Sequence, residues 1–147
     1  MSNPMLLTTI PHATLSLASA DALAQAATNH ADGAGKRMVI AVVDHAGELV
    51  SFRRMDGAPL LSVEIAKNKA YTAVAFGIPT HAWHDFIKDD DPLRLGIVHT
   101  PRLVVFGGGY PITVDDEVVG AIGVSGGHYS EDMEVAQAAL RAAGLDV

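Results

Sequence analysis

The stretch from residue 106 to residue 132, FGGGYPITVDDEVVGAIGVSGGHYSED, decides how this chain folds. Two strand-forming runs, Ile112–Val114 and Val118–Val124, flank Asp115-Asp116, a pair suited to a tight hairpin turn. Paired as a hairpin, they return two glycine clusters, Gly107-Gly108-Gly109 and Gly123/Gly126-Gly127, to the same end. Glycine has no Cβ, so such a corner admits a ligand or another backbone at close range. The second cluster leads into a helix start at Ser130-Glu131-Asp132, whose amides could seat an anionic or flat ligand. Tight turns and strand packing are the other use of the same glycines.

Upstream, Ser16 is placed as the N-cap of a first helix. Leu17, Ala20, Leu23, Ala24 and Ala27 recur at helical spacing as far as Asn29-His30. Met38–Val43 is a continuous apolar run, as in a central strand buried on both faces. Asp44–Glu48 reads as a turn, and Leu49–Met55 as the returning strand. A second helix spans about Leu60–Phe76 with Gly77 as its C-cap, and Thr80 can cap a short third helix, His81–Lys88. Asp89-Asp90-Asp91-Pro92 reads as a breaker opening a loop to about Thr100-Pro101, followed by a third strand at Leu103–Phe106. After the hairpin comes a last amphipathic helix, about Glu131–Ala143.

The order α-β-β-α-α-β-β-β-α, with hairpin-linked strands, predicts an α+β fold on a five-stranded, mostly antiparallel sheet. A dinucleotide-binding βαβ unit does not fit, because the turn after the first strand lacks the glycine fingerprint. Neither a repeat nor a long linker interrupts the chain, so residues 1–147 are expected to form one domain.

Composition narrows the function. The 147 residues carry a net charge of −7 with no basic run beyond a pair, which argues against a nucleic-acid partner. The absence of cysteine removes disulfides, thiolate metal sites and a thiol nucleophile. No apolar run is long enough for a membrane span, and MSNPMLL is unlike a secretory leader. A cytoplasmic protein without a membrane partner is the expectation.

The segments VIAVVDHAGELVSFRRMDGAPLLSVEIAKNKAYTAVAFG (Val39–Gly77) and FGGGYPITVDDEVVGAIGVSGG (Phe106–Gly127) resemble the GlcG/HbpS-like family. This is a haem-binding or haem-degrading group that includes the C-terminal domain of some propanediol-utilisation corrinoid adenosyltransferases. The resemblance implies a profilin-like, five-stranded antiparallel sheet flanked by helices. It also implies assembly into homo-oligomers and haem as the cofactor of at least some members.

Several residues could carry chemistry. His81 and His84 stand at i, i+3 on the third helix, where one could meet a haem iron or both could simply be exposed beside Trp83 and Phe86. His128 follows Gly126-Gly127 and could ligate iron or move a proton, or serve only as a loop residue at a helix start. Glu64, Lys67 and Asn68 group on the second helix, where Lys67 could hold a haem propionate or small acid, or only pair with Glu64. Arg53 and Arg54 point to opposite faces of their strand, so only one can join Lys67. Arg53 is taken as the candidate. Gly108, Gly109, Gly126 and Gly127 complete the expected ligand-binding set, with His128, His81 and His84 as candidate iron ligands.

Three functions fit. The first is a haem- or tetrapyrrole-binding protein with a haem-degrading or redox-sensing role. The second is a cofactor-independent catabolic enzyme acting on a small carboxylate or carbonyl compound, with glycine amides stabilising an oxyanion. The third is a non-catalytic oligomeric accessory subunit, in which the glycines serve close packing.

Overall fold

The structure, a computed structural model, describes residues 1–147. Its elements are α1 (Leu17–Gly33), β1 (Val39–Asp44), β2 (Leu49–Arg54), α2 (Leu61–Phe76), α3 (Ala82–Ile87), α4 (Asp91–Gly96), β3 (Gly109–Val114), β4 (Glu117–Ser125) and α5 (Tyr129–Ala142), with a 3-10 turn at Ile97–His99. No helix is long and apolar enough to cross a membrane.

The sheet runs β2-β1-β4-β3, with every neighbouring pair antiparallel. The apolar run of β1 sits centrally and is buried almost throughout, as its composition predicts. Alternation along β1 divides two cores. Ile40 and Val42 face α1 and α5, whose Ala24, Ala27, Ala136 and Leu140 pack on them. Val39, Ala41 and Val43 face α2 through Ala66, Ala70 and Ala73. Small side chains on α2 let that helix lie close to the sheet.

The hairpin turns at Asp115 and Asp116, with φ of 51° and 62°. Two consecutive left-handed residues match the twist of an antiparallel pair. Pro111 lies in β3, at the sheet edge, where a missing N–H is tolerated. Ser16 caps α1, accepting from Ser19 N at 3.1 Å, and Gly77 ends α2 with φ of 76°.

Four strands form, not five. Leu103–Phe106 makes no strand because its backbone is bonded to a helix instead. Thr72 Oγ1 donates to Arg102 O at 2.9 Å and accepts from Val104 N at 3.0 Å, which holds this segment on α2. The expected loop after Asp89 contains α4. Asp90 Oδ1 accepts from Leu93 N at 3.1 Å as its N-cap, and Pro92 lies in the first turn, where proline suits a helix. Thr80 does not cap α3; its buried hydroxyl accepts from Gly109 N at 2.9 Å. α1 continues to Gly33, and α5 begins two residues before Glu131.

Candidate functional site

The two glycine corners meet, as the hairpin requires. Gly109 faces Gly123 in register, and Gly108 O accepts from Val124 N at 2.9 Å. The space between them is filled. A Cβ on Gly108, whose φ is +126°, would stand 2.6 Å from both Lys69 Nζ and Val124 O. On Gly109 it would stand 2.5 Å from Lys69 O, and on Gly126 2.6 Å from Arg37 O. Gly127 N donates to Asp132 Oδ1 at 3.0 Å. Gly108, Gly109 and Gly126 bring α2 and the 37–38 backbone against the sheet, so the open hollow expected there is instead packed protein, while Gly127 stays exposed.

Lys69 occupies that space. Its side chain is fully buried, and Nζ donates to Asp132 Oδ2 at 2.8 Å and Val124 O at 2.9 Å. Burial pushes the lysine below its usual range, opposed by the attraction of Asp132. Burial likewise raises the Asp132 carboxyl, opposed by Lys69. The Phe106 ring lies over the ammonium, 5.1 Å from its centroid.

Phe106 is also one wall of a cleft of about 380 Å³, lined by His81, His84, Asp85, Gly107 and Tyr129. His81 and His84 therefore open on a common space, bounded by an aromatic ring held from behind by Lys69. The His81 ring lies 5.7 Å from that of Tyr110. No group of three or more His, Asp or Glu is placed to hold a metal ion by itself.

His128 stands beside this cleft rather than in it. It is the N-cap of α5, its Nδ1 accepting from Ser130 N at 3.2 Å, and Glu131 Oε1 accepts from His128 N at 3.1 Å. This reciprocal capping box commits one ring nitrogen and leaves Nε2 free. Lys36 pairs with Glu131, whose carboxyl is held below its usual range chiefly by that hydrogen bond.

Lys67 and Glu64 lie elsewhere. Their ion pair measures 2.9 Å and lines a cleft of about 240 Å³ with Val43, Gly47, Glu48, Asn68 and Arg102. That cleft lies at the C-terminal end of β1, whereas Gly126 packs on residues 37–38 before its N-terminal end. Arg53 joins neither place. It pairs with Ile40 in register, which puts it on the α1 face, and its Nη1 donates to Gln25 Oε1 at 2.6 Å. Lys67 is carried by α2 on the other face, so the proposed Arg53–Lys67 partnership is corrected.

Three contributors escaped the sequence reading. Lys69 shares the helical spacing of Ala66, Ala70 and Ala73, but nothing local announces Asp132 as its partner. Phe106 was read as a strand residue and Arg102 was passed over, although Pro101-Arg102 at a turn was a signal.

The relatives agree with this architecture. A family model described as haem degrading protein HbpS-like matches residues 15–141. This chain belongs to the HbpS-like family. An uncharacterised 15.0 kDa protein of Citrobacter freundii is 40% identical over 129 residues, covering 87% of this chain and 91% of the relative. The crystal structure of Klebsiella pneumoniae protein ORFY matches with a TM-score of 0.86 and 31% identity, over 97% of this chain and 100% of that one. The structure of a PduOC–haem complex matches with a TM-score of 0.78 and 34% identity, over 88% of this chain and 94% of that one.

Proposed function

We propose that this protein binds haem or a related tetrapyrrole in the cleft between α3 and the 105–107 segment. The observation that carries the reading is the convergence of His81, His84, Phe106 and Tyr129 on one space of about 380 Å³. The HbpS-like family and the haem-bound PduOC relative supply the choice of ligand. Haem brings an iron that takes an axial imidazole and a planar macrocycle that stacks on aromatic rings. His81 and His84 are the candidate axial donors here, and Phe106 and Tyr129 the candidate flanking rings. Gly107 is packed between two elements, since a Cβ there would collide with Met133 Sδ and stand 3.3 Å from His81 Cβ. A profilin-like arrangement in a single domain belongs to the same proposal, supported by helices on both faces of one sheet.

A haem titration followed at the Soret band tests this. A saturable band at one equivalent, lost in His81→Ala or His84→Ala, is expected. Free-haem spectra throughout would overturn it. Degradation or redox sensing is a finer property, read by adding a reductant or peroxide to the complex and following the band. Self-association is proposed with it, supported by exposed Leu60, Leu61, Phe76 and Phe86. Light scattering that shows only monomer would remove that part.

A further inference from the structure

Arg102 holds a backbone conformation that arginine rarely adopts, with φ of 68°. The fold fixes it there. Buried Thr72 donates to Arg102 O and accepts from Val104 N, which pins the backbone from this residue to Val104. The guanidinium carbon lies over Tyr71, 3.8 Å from the ring centroid, and Nε donates to Asn68 Oδ1 at 3.3 Å. Tyr71 is in turn backed by the 44–49 turn, where a Cβ on Gly47 would stand 3.1 Å from Tyr71 Cδ2. One ring and one amide thus restrain a side chain that would otherwise sample many rotamers, and one hydroxyl holds the backbone that carries it.

The two outer nitrogens of this guanidinium make no protein hydrogen bond. They belong to a residue lining the cleft of about 240 Å³ shared with Lys67, Glu64, Glu48 and Asn68. An orientated fork with free Nη1 and Nη2 matches a carboxylate, which it can bind through two parallel hydrogen bonds. The ionisable lining of the cleft sums to no net charge, two acids against two bases. A dianion would be repelled by Glu48 and Glu64, whereas a monoanion can pair with Arg102 while the Lys67–Glu64 pair faces its polar body.

We infer that the Arg102–Asn68–Lys67 cleft is a binding site for a small monocarboxylate, separate from the histidine-lined cleft. Strain at Arg102 is the cost of aiming its fork. The site is exposed, so affinity is expected in the millimolar range, where monoanions of this size bind.

The test is titration of the protein with acetate, propionate, succinate and inorganic phosphate, followed by amide chemical shifts. Acetate or propionate should saturate, with the largest shifts at Asn68, Tyr71 and Arg102. Arg102→Lys keeps the charge but loses the fork, and should weaken binding about tenfold, the value of one charge-assisted hydrogen bond. Arg102→Gly suits the left-handed backbone, keeps the fold and should abolish binding. His81→Ala should leave carboxylate binding unchanged, so failure of the haem reading would not touch this result. Tighter binding of phosphate or succinate than of the monoanions, absence of saturation, or equal affinity in Arg102→Lys would overturn the inference.

Discussion

Lys69 and Asp132 meet at 2.8 Å although their helices cover opposite faces of the sheet. The bond passes the end of β4, where Val124 O accepts a second hydrogen bond from the ammonium. It does so through the gap left by the missing side chain of Gly108. The pair therefore ties α2 to the first turn of α5, and Phe106 and Tyr129, which flank the histidine cleft, rest on the two tied elements.

Breaking the pair from one side should be costly. Lys69→Met leaves a buried carboxylate without its cation, a loss of about 3–5 kcal/mol. Lys69→Met/Asp132→Asn removes both charges and should recover most of it. Urea denaturation of the three proteins measures the difference. A single variant that costs less than about 1 kcal/mol would show that the pair does not hold α5.

The pair also sets a pH dependence. Burial raises Asp132, so its stabilising contribution is complete below the ordinary value of 3.8 and is lost as pH rises through the raised one. Burial lowers Lys69, so its contribution is complete above 10.5 and is lost as pH falls through the lowered value. Between these limits both groups are charged, and the pair contributes least. The stability of the double variant relative to wild type should therefore be greatest near neutrality and shrink toward both extremes. Denaturation midpoints across pH read this directly, and a flat difference would contradict it.

Gly108→Ala should be among the most damaging single-methyl additions. Its φ of +126° excludes ordinary side chains, and the new Cβ would stand 2.6 Å from a backbone oxygen that cannot move far. Strain and overpacking together suggest a loss of at least about 3 kcal/mol. Gly33→Ala is the control, because nothing lies within 4 Å of its Cβ position at the end of α1. A small gain of about 0.4–1 kcal/mol is expected there. Thermal melts of the two variants should move in opposite directions.

The elements that local chemistry could specify were legible in the sequence. Asp115-Asp116 set the hairpin, the apolar run set β1 as a buried strand, and Ser16 and Gly77 marked helix ends. Leu103–Phe106 was not legible, since an apolar run looks alike whether its backbone meets a strand or Thr72, 32 residues away for Val104. Alternation separated Arg53 from Arg54 but could not tell which face α2 would cover. The histidine pair was found as a pair, while the aromatic wall beside it depended on the path of the chain through Gly107. Asp132 is 63 residues from Lys69, a distance over which no periodicity speaks.

His128 provides the sharpest separation of structural from functional roles near the proposed haem cleft. As the N-cap of α5 it accepts from Ser130 N, so His128→Ala should cost about 1 kcal/mol through the lost cap. Asparagine caps helices well but cannot supply an imidazole. His128→Asn should therefore restore stability, read by urea denaturation, and the same protein can be titrated with haem. An unchanged Soret band in His128→Asn, with loss in His81→Ala or His84→Ala, places the axial donor on α3. Loss of the band in His128→Asn at full stability would instead mean that Nε2 of His128 reaches the iron, and that the ligand lies across the mouth of α5.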